Sequence, residues 1–294
     1  MDAGTQYCEI ALVVPPDALE AVTHLLHDSG TGGVIIDDDA RASLRAYLPR
    51  DEHLGVRLDA LRRSLTDLVA FFPGMSEWRQ QERFVQEEDW ANAWRDHFHA
   101  VRVGRRLVVA PSWEARAARA DEVVVRLDPG MAFGTGTHAS TVLCLRALED
   151  LAAGTGHVLD IGTGSGILAV AAALLGAGEV TALDIDPLAV RVARQNAQAN
   201  GVSDRVHVHY AELRDRLRAG MPRADLAVAN LTADLLGGIL PDLALALAPG
   251  ATAVLSGIIG PGVSGLEAAL AAGRWRVLRE SRLEDWWALW VTAG

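Results

Sequence analysis

The sequence predicts a two-part α/β chain: a doubly wound seven-stranded sheet, preceded by a smaller α+β unit of ferredoxin-like pattern. Three observations predict it. The first 86 residues run strand, helix, strand, strand, helix, strand. From Leu107 onward, short apolar runs alternate with amphipathic stretches, the pattern of a parallel sheet covered on both faces. A glycine-rich turn, Asp160-Ile161-Gly162-Thr163-Gly164-Ser165-Gly166, joins one such run to an apolar helix.

In the first part, Tyr7 to Val14 is strand-like and is broken by Pro15-Pro16. Ala18 to Asp28 has helical spacing through Leu19, Val22, Leu25 and Leu26. Gly30 to Gly33 forms a turn, and Val34-Ile35-Ile36 ends in Asp37-Asp38-Asp39, read as a solvated strand end rather than a cation site. An extended piece follows near Leu44 to Leu48. Leu54 to Phe72 reads as a helix, with Leu58, Leu61, Leu65 and Leu68 on one face and Pro73-Gly74 as its stop. A strand near Glu82 to Gln86 completes βαββαβ. Residues 1–86 are therefore read as one domain and 87–106 as a linker. Trp90 and Trp94, four residues apart near the start of that linker, would share one helix face as a packing stripe.

In the second part, residues 107–294, strands are expected at Val158–Ile161, Val180–Asp184, Val206–Tyr210, Leu226–Asn230 and Ala253–Ser256. Helices are expected at Gly166–Leu175, Pro187–Asn200, Ala233–Leu247 and Gly262–Ala272. Asp186 before Pro187 is a good N-cap and first-turn pair, and Gly201 a good stop. Arg274–Arg279 and Trp286–Thr292 would add an antiparallel pair.

Half of the 294 residues are apolar, enough for a sizeable core. No run reaches the roughly 20 apolar residues that span a bilayer, and no basic-then-apolar leader follows Met1, so the protein is read as cytoplasmic. Cys8 and Cys144 have no metal-ligand spacing and are read as free thiols; no metal site is expected. The net charge of −11 is concentrated at the front: residues 1–100 hold 9 Arg against 18 acids, and 101–294 hold 18 Arg against 20. An acidic surface repels nucleic acid and attracts basic partners. All 27 basic side chains are arginine, for which nothing in the fold gives a reason.

The glycine turn follows a strand carrying Asp160, and the next strand ends at Asp184. Glycines let a ligand approach the backbone, and an acid at the following strand end can accept ribose hydroxyls. Gly162, Gly164, Gly166, Asp160 and Asp184 are thus nucleoside-site candidates. Gly164-x-Gly166-x-x-Ala169 also fits the relaxed dinucleotide fingerprint, which leaves a nicotinamide oxidoreductase open. Asp160 would oppose a pyrophosphate, but suits a ligand bearing an ammonium. Upstream, Asp128-Pro129-Gly130-Met131-Ala132-Phe133-Gly134-Thr135-Gly136-Thr137-His138 is dense in small polar groups, the usual make-up of a ligand-touching loop. Phe133, Gly134 and Thr137 are candidates there, and Thr141 could reach the same ligand from the helix that follows. Asn230, at a strand's carboxyl end, either accepts from an incoming amine or caps the next helix.

Together these segments resemble the bacterial methyltransferases of ribosomal large-subunit protein eleven. The resemblance rests on Asp89-Trp90, Trp94, Phe98-His99, Ala110-Pro111-Ser112-Trp113, the Asp128–His138 run, Asp160–Gly166, Asp184-Ile185-Asp186-Pro187, Asn230-Leu231 and Leu255-Ser256-Gly257-Ile258. It covers nearly the whole chain. Ala139-Ser140, Thr163 and Leu231-Thr232 stand where Pro-Thr, Cys and Ile-Leu are commoner. The resemblance implies a substrate-recognising N-terminal domain and a donor-binding methyltransferase sheet. It implies S-adenosylmethionine as cofactor and N-methylation of lysine ε-amines and an N-terminal α-amine of the ribosomal protein. By residue match, donor contacts fall on Thr141, Gly162, Asp184 and Asn230, with Asn230 also catalytic. The expected enzyme is a monomer that touches neither nucleic acid nor membrane. A methyltransferase of another protein or of a small amine is the nearest rival.

Overall fold

The structure is a computed structural model that describes residues 6–31, 34–37, 42–86, 99–114, 119–127, 136 and 138–294. The chain falls into two compact units, one with described residues up to His99 and the other from Ala100 onward.

In the first unit, β1 (Gln6–Val14), α1 (Leu19–Asp28), β2 (Val34–Asp37), β3 (Ala42–Pro49), α2 (Leu54–Leu68) and β4 (Arg79–Gln86) form an antiparallel sheet in the order β2-β3-β1-β4. That order is the ferredoxin-like one. Period-two alternation in β1 sends Cys8, Ile10, Leu12 and Val14 to the core, where Val22 and Leu26 of α1 and Leu54, Leu58, Leu61 and Leu65 of α2 meet them. The helix α2 ends at Leu68, short of the expected Phe72. Pro73 forces the residue before it out of the helical region, and Phe72 is extended at φ −126°. On the sheet's other face, the buried Glu9 carboxylate accepts from Tyr47 and, through both oxygens, from Arg83. Burial raises its pKa, and those hydrogen bonds more than offset it, leaving Glu9 below the usual carboxylate range.

The second unit opens with β5 (Val101–Arg102), β6 (Leu107–Ala110) and β7 (Val123–Arg126), which pair as a small separate sheet. Then come α3 (Ala139–Leu151), β8 (His157–Ile161), α4 (Ile167–Leu174), β9 (Glu179–Asp184), α5 (Pro187–Ala199), β10 (Val206–Tyr210), α6 (Leu213–Arg218), β11 (Ala224–Asn230), α7 (Ala233–Ala246), β12 (Leu247–Ile259), α8 (Gly260–Ala272), β13 (Trp275–Leu283) and β14 (Trp286–Ala293). The seven-stranded sheet has the order β10-β9-β8-β11-β12-β14-β13. The pairs from β10 to β12 are parallel, and β14 runs against both its neighbours. This is the doubly wound arrangement expected, and its strand order reverses between β8 and β11, where such sheets place their ligands. The six-residue α6 had no forecast, because a short Arg-rich helix shows no apolar period.

Alternate residues of each strand enter different cores. Val158, Val228 and Val254 join α3, α4 and α5, whereas Leu159, Ala229 and Leu255 join α7 and α8. By the same alternation Asp160, Asn230 and Ser256 belong to the α3 face. The far end of α3 is anchored by Glu149, whose carboxylate accepts the backbone amides of Arg105, Arg106 and Leu107.

Candidate active site

The donor-side loop is built on β8. The amides of Gly162 and Thr163 both donate to Leu183 O, at 2.9 and 3.0 Å, and Gly166 N donates to Thr163 O at 2.8 Å. Gly162 has φ +71°, and a Cβ there would lie 2.5 Å from Leu231 Cδ2. The position therefore excludes a side chain on both backbone and packing grounds. Gly257 (φ +86°) lets the β12 bulge close on the backbone of Leu231 from the other side. Leu231, next to Asn230, is thus clasped between the donor loop and β12.

Beneath the loop lies Asp160, fully buried. Its Oδ2 accepts from Thr163 Oγ1 at 2.6 Å and from Ala169 N at 3.1 Å. Its Oδ1 is buried with no hydrogen-bond partner among the described residues. Burial pushes the carboxyl up to about 7, against its two hydrogen bonds and with a further push from Asp184. The Asp184 carboxylate is held at the end of β9: Oδ2 accepts from Gly164 N at 2.8 Å and Oδ1 from Asp186 N at 2.9 Å. Each oxygen keeps a lone pair for a further donor. Beside it Ile185 is 67 % exposed, an apolar surface at a strand end. Asp186 caps α5 as expected, accepting from Leu188 N at 2.8 Å, with Pro187 in the first turn.

Across from the loop, Asn230 Nδ2 donates to Thr141 Oγ1 at 3.2 Å. The cap reading of Asn230 is not the one the structure takes, since the N-cap of α7 is Thr232. Thr141 is buried in the first turn of α3, and His138 is that helix's N-cap. His138 Nδ1 lies 2.7 Å from Ser140 Oγ, and its ring meets Trp286 edge to face, centroids 4.5 Å apart. Ser256 Oγ lies 2.9 Å from Trp287 O and 3.2 Å from Ser140 O, its one hydroxyl hydrogen shared between them, and so joins α3 to the sheet behind Asn230. Cys144 is buried in that wall, its thiol pushed up to about 12, chiefly by burial. Cys8 is likewise a buried free thiol.

The structure therefore brings Gly162, Gly164, Gly166, Asp160 and Asp184 together around one loop, and joins Thr141 to Asn230. Phe133, Gly134 and Thr137 lie outside the described residues, as do Trp90 and Trp94. Gly136, from the same run, is described: a Cβ there would lie 2.7 Å from Ile167 Cδ1, so Gly136 itself packs against the start of α4. Sequence reasoning passed over Ile185 and Trp286. The signal for Ile185 was an apolar residue between two acids at a strand end; for Trp286 there was none short of the β14 register. Among the described residues no group of three or more His, Cys, Asp or Glu is placed to hold a metal, and no helix is long and apolar enough to cross a membrane.

A loop that admits no side chain at Gly162, an acid at the next strand end and a buried unpartnered carboxylate oxygen suit a nucleoside ligand that also carries a positive charge. Comparison with known proteins agrees. Residues 6–293 match the family described as Ribosomal protein L11 methyltransferase (PrmA). The ribosomal protein L11 methyltransferase of Pelotomaculum thermopropionicum is 44% identical, covering 93% of this chain and 98% of that protein. That of Geobacillus kaustophilus is 35% identical, covering 97% and 98%. A crystal structure of ribosomal protein L11 methylase from Lactobacillus delbrueckii subsp. bulgaricus superposes with a TM-score of 0.62 at 33% identity, covering 67% of this chain and 99% of that one. The nicotinamide reading of the glycine run finds no support among these relatives.

Proposed function

The chain belongs to the ribosomal protein L11 methyltransferase family, and from that premise we propose which amines it methylates and which side chains carry the transfer. It is a protein methyltransferase that uses S-adenosylmethionine, and its acceptors are lysine ε-amines and the N-terminal α-amine of ribosomal protein L11. The observation that carries this reading is the Asn230–Thr141 pair at the edge of the donor loop. With Nδ2 engaged by Thr141, the Asn230 carbonyl oxygen faces the opposite way and can accept a hydrogen from an amine.

The bound donor supplies an already activated sulfonium methyl, so the chain's own work is alignment. Gly162, Gly164 and Gly166 would admit it, Asp184 would accept its ribose hydroxyls, and Ile185 would offer the base an apolar platform. Asp160 Oδ1, buried without a partner among the described residues, would accept a hydrogen bond from its ammonium. To the same site we assign Phe133, Gly134 and Thr137, on the ligand-touching composition of their run alone. Asn230 would hold the acceptor nitrogen with its lone pair toward the methyl, so that transfer could proceed in line with the sulfur as leaving group. A lysine amine, with a pKa of about 10.4 in water, must be neutral to attack, and exclusion of water favours that form.

We assign substrate recognition to residues 1–86 and catalysis to the second unit, which takes in the end of the stretch read as linker 87–106, since β5 (Val101–Arg102) already belongs to it; the enzyme is a cytoplasmic monomer that binds no nucleic acid directly. Asp17, Asp51, Glu52, Asp59 and Asp67 are exposed on the first unit and favour a basic protein partner. KM for whole L11 should therefore rise with ionic strength while KM for a short lysine peptide stays level; parallel curves would dismiss the electrostatic role.

Mass spectrometry of L11 incubated with enzyme and donor tests the main reading. Whole-methyl increments on lysines and the N-terminus are expected, and unmodified L11 beside an enzyme that binds donor would refute it. Asp184→Ala should raise the donor dissociation constant about tenfold or more, the scale of a lost hydrogen bond to a charged group. An unchanged constant by calorimetry would remove Asp184 from the ribose.

A further inference from the structure

The seven-stranded sheet carries one feature that the transfer chemistry does not use. Ser256 of β12 pairs with Asn230 on one side and Ala288 of β14 on the other, so the three share one row across the sheet. Because β14 runs antiparallel, its earlier residues climb past the carboxyl ends of the parallel strands. Trp286 therefore stands two residues, roughly 7 Å, above that row. Trp286 and Ala288 have the same parity, and α3 confirms the face: its N-cap His138 meets the Trp286 ring at 4.5 Å. His138, the N-cap, enters α3 three residues before Thr141, which holds Asn230. Asn230, Thr141, His138 and Trp286 make a continuous wall rising from the amine position to the rim of the sheet. Ser140 Oγ, 2.7 Å from His138 Nδ1, fixes the imidazole in that wall.

The rim is acidic. Glu284 and Asp285 immediately precede Trp286 and are both exposed, and Glu284 is held at φ +54°, a conformation that disfavours non-glycine residues. Arg282 pairs with Asp285 at 3.1 Å, leaving the Glu284–Asp285 turn with net negative charge beside an indole. A turn of that sign next to an aromatic face suits a cation on an apolar stem.

We propose that His138 and Trp286 form the acceptor-side wall of the site, along which the side chain of a primary alkylamine lies as its neutral nitrogen reaches Asn230. This rests on the reading of the protein as an amine methyltransferase. Trp286 is then a specificity-determining residue: its ring meets the incoming cation at the rim and receives the methylenes once the nitrogen is at Asn230, while His138 keeps the ring upright.

The test compares Trp286→Leu, Trp286→Phe and His138→Gln with the wild-type enzyme on L11 and on a short lysine peptide. Trp286→Leu should raise KM about tenfold for both acceptors, with donor affinity unchanged. Trp286→Phe should recover most of that loss, because an aromatic face remains. Thermal unfolding of each variant identifies any that fails to fold, and for such a variant Trp286→Phe and His138→Gln carry the test. Unchanged KM in Trp286→Leu, or equal weakening of donor and acceptor, overturns the proposal. If the wild-type enzyme itself leaves L11 unmethylated, the reading of the substrate fails instead, and the peptide arm still decides the wall.

Discussion

Replacing Asn230 with alanine lowers turnover on a lysine acceptor by about a hundredfold or more, while donor affinity changes little. The size follows from geometry. In-line transfer requires the nitrogen lone pair to meet the methyl within a narrow cone, and an ångström of misplacement costs about two orders of magnitude. Asn230 supplies that aim because three things fix its carboxamide. Strand β11 delivers it to the α3 face, Thr141 Oγ1 engages Nδ2 at 3.2 Å, and Leu231 beside it is clasped by the backbones of Gly162 and Gly257. Thr141→Val removes only the second of these and should cost less than Asn230→Ala, a ranking that a purely structural Asn230 would not produce. Single-turnover kinetics with saturating donor, beside calorimetric donor titration, separates the cases. Equal losses in turnover and donor affinity would reduce Asn230 to a donor contact.

How much of this was legible in the sequence depends on how local the cause is. The glycine loop was legible because a backbone that must run at φ +71° beside Leu231 leaves glycine as the residue that fits, and the sequence shows the glycine directly. The same holds for Asp186-Pro187 at the start of α5, where cap and first turn are adjacent residues. Asn230 was half legible. Its residue type allowed a cap or an amine acceptor, and the choice waited on Thr232 taking the cap. The His138–Trp286 contact was not legible, since it joins a helix N-cap to a strand whose reversed direction alone brings the indole above the sheet. Expected ends missed for similar reasons. Helix α2 stops at Leu68 because Phe72 must be extended before Pro73, and β4 begins at Arg79 because an edge strand pairs through its backbone whatever its side chains. Asp160 shows the limit most sharply. Its place before the glycines suggested an ammonium partner, but nothing local said that the carboxyl would be wholly buried.

That burial has a consequence for donor binding across pH. Donor affinity should rise from pH 5.5 to pH 7 by about fifteenfold, and Asp160→Asn should abolish the rise. In the donor-free protein the Asp160 carboxyl titrates at about 7, mainly because burial disfavours its charge. Its ordinary value is 3.8. Between the two the folded chain keeps a proton that the unfolded chain has lost, so stability falls as pH rises through that window, by about 4 kcal/mol in all. Above 7 the fold carries the whole cost of an ionised carboxylate whose Oδ1 has no partner among the described residues. An ammonium arriving at Oδ1 offsets that cost, so donor binding selects the ionised form and releases a proton below pH 7. The groups nearest to Asp160 do not supply the same dependence. Thr163 does not titrate, the Cys144 thiol is neutral throughout with a pKa of about 12, and Asp184 acts to raise the Asp160 value rather than to lower it. Calorimetry in buffers of different ionisation enthalpy should show close to one proton released per donor at about pH 5.5 and less than about half of one at pH 7, below the range where the donor's own α-amine titrates. Asp160→Asn should also unfold at a higher temperature than the wild type at pH 8 without donor, while binding donor more weakly. Affinity that is level across the range in the wild type, or an equal slope in Asp160→Asn, would place the ammonium elsewhere and leave Asp160 as a support for Thr163 and the amide of Ala169.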